Sequence, residues 1–182
     1  SFAERLQQYP EFVGATLRGS SVLGYGDETS DIDVTLLIDP GEYETFDPLK
    51  NAVHDLEQEI VREAGREILH VNYQDVSEEA LREEIAHPML LPDAFTSLCE
   101  LSTGEKIDQY RARAATLIRS LTPDEQSAMR KRIVEALVFY EEQRFGAMQW
   151  RITDTYGEWD KDTFLADRTA LWQKRINELF PA

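Results

Sequence analysis

Two aspartates, Asp31 and Asp33, stand at the start of an apolar segment and are the first candidates for chemistry in this 182-residue chain. Side chains alternate between the two faces of a strand, so residues two apart point to the same side. No basic residue lies between these two carboxylates, which therefore repel each other. Mg²⁺ relieves such repulsion by binding one or two carboxylates together with phosphate oxygens. The pair predicts a metal site with Asp31 and Asp33 as ligands.

A glycine-rich stretch comes before these aspartates. Gly19 and Ser20 lead it, and Gly24 and Gly26 follow. Glycine permits tight turns, and the exposed backbone N–H groups of such turns can hold phosphate oxygens. The stretch therefore predicts phosphate binding next to the metal site, with the adjacent Arg18 as a further candidate for nucleotide binding.

The elements that must position these residues alternate between strand and helix patterns in the first part of the chain. Strand patterns cover 12–17, 31–39, 66–73 and 94–101, and helix patterns cover 2–8, 47–64 and 78–86. In the second strand, Val34, Leu36 and Ile38 are assigned to one face and Ile32 and Thr35 to the other. This distribution predicts a strand buried on both sides.

Everything after Gly104 has a helical pattern. Helices are expected over 107–121, 123–150 and 161–179, and Thr122 to Glu125 has the sequence of an N-cap with a capping box. The predicted class is therefore α+β, with a small mixed β-sheet domain (1–104) followed by a C-terminal helical bundle (105–182).

Charge follows the same division. The net charge is −16, and residues 1–104 hold 22 Asp and Glu against 6 Lys and Arg, whereas residues 105–182 hold 13 of each. A strongly acidic surface repels nucleic-acid phosphates and favours cationic partners. Solubility or adaptation to salt are alternative explanations.

Targeting and redox signals are few. The single cysteine, Cys99, excludes a disulfide framework and suits a reducing compartment. No apolar run approaches the ~20 residues that span a bilayer, and the N-terminus lacks a signal-peptide pattern. The expectation is a cytoplasmic protein without a membrane or nucleic-acid partner.

The order Gly19-Ser20, ten residues, then Asp31-x-Asp33 resembles the polymerase-β-like nucleotidyltransferase superfamily. Later segments are most similar to the kanamycin (aminoglycoside) nucleotidyltransferase family. They are His70-Val-Asn-Tyr73, Glu78-Glu79-Ala-Leu81, Ala94-Phe-Thr-Ser-Leu98, Ile107–Ala114 and Ile133-Val-Glu-Ala-Leu137. The similarity is distant but collinear from about residue 12 to residue 145, and the family's helical domain is longer than the one available here.

This resemblance implies transfer of a nucleoside monophosphate from ATP or another NTP to an acceptor hydroxyl, with Mg²⁺ as cofactor and release of pyrophosphate. Gly19 and Ser20 match the family's phosphate-binding pair, and Asp31 and Asp33 match its metal-binding acids. Members of the family can build sites across a dimer, so a homodimer is one expected arrangement.

One position departs from the family pattern. The family carries a third carboxylate on the third strand, where this chain has His70. A neutral imidazole can act as a base near pH 7 but is a poor Mg²⁺ ligand. Glu67 is an odd number of residues away and would face the other side of a regular strand. The site is therefore either active with a different base or catalytically impaired.

Two further candidates lie in the long helix. Glu141 interrupts an apolar stripe, which indicates either a catalytic base, as in a nearby position of the family, or a salt bridge with Arg111 or Arg113. Arg144 is one position from a triphosphate-contacting lysine of the family and is a candidate nucleotide-binding residue.

Three functions follow from these observations. The first is an Mg²⁺-dependent nucleotidyltransferase acting on a small cationic acceptor such as an aminoglycoside. The second is a protein-modifying or antitoxin-type nucleotidyltransferase whose target is a partner protein. The third is a degenerate domain that binds nucleotide without turnover.

Overall fold

The computed structural model describes residues 2–18, 28–41, 47–86, 104–156 and 160–179, with side chains for all of these except residues 18, 84, 85, 140, 144–156 and 179. This part of the chain forms six helices and three strands. The helices are α1 (Phe2–Leu6), α2 (Asp47–Ala64), α3 (Glu78–Ala86), α4 (Glu105–Arg119), α5 (Pro123–Tyr156) and α6 (Lys161–Leu179). The strands are β1 (Phe12–Arg18), β2 (Ile32–Ile38) and β3 (Leu69–Asp75). The predicted α+β class, with the strands early and the helices late, is confirmed.

Several predicted ends are displaced. Strand β3 begins at Leu69 and not at Arg66, and α5 continues past Trp150 to Tyr156. Because Glu67 lies before β3, strand alternation does not apply to it. The predicted strand over 94–101 lies outside the described residues.

The three strands form a mixed sheet in the order β1-β2-β3. Strand β2 pairs antiparallel with β1 and parallel with β3. A parallel pair requires a crossover connection, and α2 supplies it between β2 and β3. Helix α2 ends at Ala64. The next residue, Gly65, has a φ of 71° and donates its backbone N–H to the carbonyl of Val61 over 2.9 Å. Glycine adopts this left-handed conformation without a Cβ clash, so the helix stops here and the chain turns back to the sheet.

Strand β2 is covered on both faces, as its sequence predicts, but one residue was assigned to the wrong face. Ile32 packs with Val34 and Leu36 in the core beneath α2, because even-numbered residues of the strand share a side. Thr35 and Leu37 lie on the opposite face, where Leu37 joins a second core. Asp33, the second residue of β2, is therefore on the same face of the sheet as this second core.

The second core continues across the expected domain boundary at Gly104. It combines residues of β2, α3 and the segment before α3 with residues of α4, α5 and α6: Leu37, Val76, Leu81, Ile107, Tyr110, Ala114, Ile118, Met129, Ile133, Val134, Trp172 and Ile176. The helices thus cover the sheet face that carries Asp33.

Lys106 joins the first turn of α4 to the chain just before β1. Its Nζ donates to the backbone carbonyls of Tyr9 (3.4 Å), Pro10 (2.7 Å) and Phe12 (2.9 Å). An ammonium has three donors, and here all three meet carbonyl oxygens. This contact holds α4 against the sheet.

Helices α5 and α6 begin at side-chain caps. The N–H of Thr122 donates to Glu125 Oε2 over 2.8 Å and the N–H of Glu125 donates to Thr122 Oγ1 over 3.3 Å, which confirms the predicted capping box of α5. Asp160 Oδ1 accepts from the N–H of Thr163 over 2.6 Å and caps α6. No helix in the described ranges is both long and apolar enough to cross a bilayer.

Candidate functional site

Asp33 and His70 occupy facing positions on neighbouring strands. In the parallel β2–β3 pair Asp33 is opposite His70, and in the antiparallel β1–β2 pair it is opposite Arg18. Facing residues of paired strands share a face of the sheet. Asp33 and His70 therefore share one face, at the end of the sheet where β2 begins, and the backbone of Arg18 completes the row.

Asp31 lies directly before β2 and is contacted by two basic side chains. His70 Nε2 is 3.3 Å from Asp31 Oδ2, and Arg66 Nη1 is 3.8 Å from Asp31 Oδ1. The side chains of Asp31 and His70 are each 50% exposed, so a ligand can reach both. We call Asp31, Asp33 and His70 the carboxylate site.

Arg66 is a member of this neighbourhood that the sequence reasoning missed. Its Nη2 donates to the carbonyl of Glu28 over 2.8 Å and its Nη1 donates to the carbonyl of Thr29 over 3.4 Å. These bonds tie the segment before β2 to the segment before β3, close to Asp31. The available signal was a basic residue directly after Gly65, in a part of the chain with few cations.

A second row of polar residues lies next to Asp33 and His70, two residues further along the strands on the same face of the sheet. Thr35 of β2 is opposite Thr16 of β1 and Asn72 of β3, and the next position of β2 on this face is Leu37, in the helix-covered core. Thr16 is 2% exposed, and its Oγ1 has no hydrogen-bond partner among the described residues. A row of two hydroxyl groups and one amide therefore separates the carboxylate site from the apolar core along this face of the sheet.

The oxygen donors of this site are of the kind that a hard cation prefers. Asp31 and Asp33 supply carboxylate oxygens, whereas His70 supplies only an imidazole nitrogen, which Mg²⁺ binds poorly. Within the described ranges, no group of three or more His, Cys, Asp or Glu side chains is arranged to hold a metal ion. Asp31 and Asp33 would fit Mg²⁺ as two carboxylate ligands, and phosphate and water oxygens would have to supply the others.

Glu57 of α2 is a carboxylate whose charge acts on His70 and Tyr73 of β3. Burial raises the pKa of the Glu57 carboxyl, His54 opposes the shift, Glu67 adds to it and His70 lowers it. Burial also raises the pKa of the Tyr73 hydroxyl, and the charge of Glu57 contributes. Glu57 is thus close enough to interact electrostatically with both His70 and Tyr73, although the sequence pattern did not single it out.

Glu141 is buried between α5 and α6. Its Oε2 accepts a hydrogen bond from Trp172 Nε1 over 3.0 Å and lies 3.8 Å from Arg168 Nε. The Glu141 side chain is 2% exposed and that of Arg168 is 8% exposed. The neighbouring cation is thus on α6, whereas the sequence suggested Arg111 or Arg113. This burial favours the salt-bridge interpretation over catalysis, because a substrate has little access to such a carboxylate.

Four predicted site residues are not described at the side-chain level. Gly19 and Ser20 lie outside the described residues, as do the side chains of Arg18 and Arg144. Their predicted contacts with a nucleotide stay predictions.

Comparison with known proteins gives no family assignment. No protein-family model, curated protein or solved structure matches this chain. Function is therefore inferred from the carboxylate site and from the sequence around it.

Proposed function

We propose that this protein is an Mg²⁺-dependent nucleotidyltransferase that moves a nucleoside monophosphate from an NTP to a hydroxyl of a small cationic acceptor, such as an aminoglycoside. The observation that carries the proposal is that two carboxylates flank the first residue of β2 and both lie by His70 of β3: Asp33 is opposite His70 in the strand pair, and Asp31 contacts its imidazole. The sequence resemblance to the polymerase-β-like superfamily supports the same chemistry.

Asp31 and Asp33 would hold the metal through their carboxylate oxygens. When bound, Mg²⁺ would supply charge neutralisation and alignment of the phosphate oxygens for in-line displacement. Gly19 and Ser20 would hold phosphate oxygens through backbone N–H groups and a hydroxyl.

In the transfer step, the acceptor oxygen forms a bond to the α-phosphorus. The bond between that phosphorus and the bridging oxygen of the β-phosphate breaks, and pyrophosphate leaves with the bonding electrons. The imidazole of His70, half exposed in the carboxylate site, takes the proton of the acceptor hydroxyl. His70 thus serves as the base where the resembled family has a carboxylate.

The acidic first part of the chain supports the choice of a cationic acceptor. Residues 1–104 hold 22 acidic and 6 basic residues. Clefts lined by one sign of charge raise the local concentration of oppositely charged ligands.

The direct test incubates the full chain with Mg²⁺, labelled ATP or other NTPs, and a panel of aminoglycosides and protein acceptors. We expect a labelled acceptor and pyrophosphate, and we expect Asp33→Asn to abolish both because it removes a metal ligand. Asp167→Asn, an exposed acid of α6, is the matched control and should retain activity. Absence of nucleotidyl product with every acceptor would refute the proposal.

A second candidate function is nucleotide binding without transfer. It is favoured by one observation: His70 contacts Asp31 at the position where a third carboxylate would complete the metal site. Calorimetry that detects ATP binding, together with no turnover in either the wild type or His70→Glu, would support it. Turnover that appears only in His70→Glu would instead show that the missing acid limits the reaction.

A further inference from the structure

We propose that Arg66 contacts the triphosphate of the nucleotide. This inference rests on the proposed nucleotidyltransferase function and adds to it a phosphate-binding residue outside the glycine-rich stretch. It begins from the position of the Arg66 guanidinium, 3.8 Å from the Asp31 carboxylate.

The guanidinium is held in place by the protein backbone. Nη2 donates to the carbonyl of Glu28 and Nη1 to the carbonyl of Thr29, over 2.8 and 3.4 Å. Both acceptors belong to the segment that leads into Asp31. A guanidinium that is fixed on one edge loses little further conformational freedom when its remaining donors bind a ligand.

The same guanidinium keeps donors available for a ligand. Arginine has five N–H donors, and the hydrogen bonds to Glu28 and Thr29 occupy two of them. Within the described part of the chain, no other acceptor is hydrogen-bonded to Arg66, since its distance to Asp31 exceeds hydrogen-bonding range. Its side chain is 43% exposed, so a bound anion could reach it.

Electrostatics also favour a cation beside Asp31. A triphosphate bound at this site would place its negative charge beside the Asp31 and Asp33 carboxylates, and a cation there lowers the repulsion. Among the side chains that the structure describes around Asp31, the basic ones are Arg66 and His70. Arginine matches phosphate geometry through paired N–H donors and stays protonated, so Arg66 is the better phosphate ligand.

The test compares nucleotides that differ in the number of phosphates. Calorimetric titrations with Mg²⁺ and ATP, ADP, AMP or adenosine are made on the 182-residue wild-type chain, Arg66→Met and Arg66→Lys. Arg62→Met is the matched control, because Arg62 lies in the last turn of α2, four residues before Arg66, and its Nε donates to the carbonyl of Gln58. Thermal unfolding of each variant verifies that it is folded.

We expect Arg66→Met to weaken ATP binding roughly 10- to 100-fold, as for loss of a hydrogen bond to a charged group. ADP binding should weaken less, and adenosine binding should not change. Arg66→Lys should give a smaller loss, since it keeps the charge but not the paired donors. Because the lysine variant disturbs the fold least, its ATP-to-adenosine ratio decides the question if Arg66→Met is unstable.

Two results would overturn the inference while leaving the proposed function intact. The first is unchanged ATP affinity in both Arg66 variants. The second is an equal loss for ATP and adenosine, which would show that Arg66 only orders the segment before β2. Failure of the wild type to bind any nucleotide would remove both the proposed function and this inference.

Discussion

Replacing Glu141 with alanine is expected to destabilise the protein strongly without acting on the chemistry. The change leaves Trp172 Nε1 without its carboxylate acceptor, and it leaves the Arg168 charge, 8% exposed, without the carboxylate beside it. Breaking a buried ion pair by removing one partner costs about 3–5 kcal/mol of unfolding free energy. For a domain of this size, each kcal/mol lowers the Tm by roughly 2–4 °C, so the expected fall is roughly 6–20 °C.

Two companion variants separate the contributions. Glu141→Gln keeps an oxygen that can accept from Trp172 and loses only the charge, so its cost should be smaller than that of alanine. The double variant Glu141→Leu, Arg168→Met removes both charges and should recover most of the loss, because apolar replacement of a whole buried pair is often neutral or stabilising.

The assay is urea denaturation followed by circular dichroism, with transferase activity measured on the same preparations. A cost below about 1 kcal/mol for Glu141→Ala would refute the argument from burial. Normal stability combined with lost transfer would refute it more sharply, since Glu141 would then act as the catalytic base.

Two other predictions concern the contacts that hold the helices in place. Lys106→Met keeps the aliphatic stem but removes the donor to three carbonyls, so it should lower the unfolding free energy by about 1–3 kcal/mol. The control is Lys174→Met, because Lys174 is exposed. Equal stability of the two variants in urea would contradict the prediction. Backbone and side-chain hydrogen bonds from Thr122 lower the pKa of Glu125 below its ordinary value of 4.5. The ionised Glu125 carboxylate therefore stabilises the fold fully above pH 4.5, and this stabilisation is lost as the pH falls below 4.5 and through the lowered pKa. Glu125→Ala should therefore be less stable than the wild type at pH 7, and the difference in stability should shrink as the pH is lowered past 4.5. Thermal unfolding of both proteins from pH 7 to pH 3 measures this difference. A difference that stays constant over this range would contradict the prediction.

The elements of this protein were predictable because each depends on residues close together in the chain. The apolar stripe of α2 predicts its buried face, with Leu49, Val53 and Leu56 now in the core, and Gly65 ends the helix as expected. The capping box between Thr122 and Glu125 also follows from a four-residue pattern.

The face of Ile32 and the start of β3 were assigned wrongly. Alternation alone places Ile32 with Val34, and the core under α2 confirms this. Strand β3 begins only at Leu69, where its pairing with Ile32 starts, and this position depends on the register of two strands. The sequence between Arg66 and Leu69 contains no local signal that sets this register.

By itself, the sequence determined the α+β class, the order of the described strands and helices, and the two aspartates on either side of the first residue of β2. The tertiary structure alone decided which residues far apart in the chain come into contact. Arg66 reaches the segment before Asp31, and Glu141 meets Trp172 on another helix. These contacts join residues about 30 or more positions apart. They form only when helices pack and strands pair in one register, whereas local propensity specifies an element but not its neighbours.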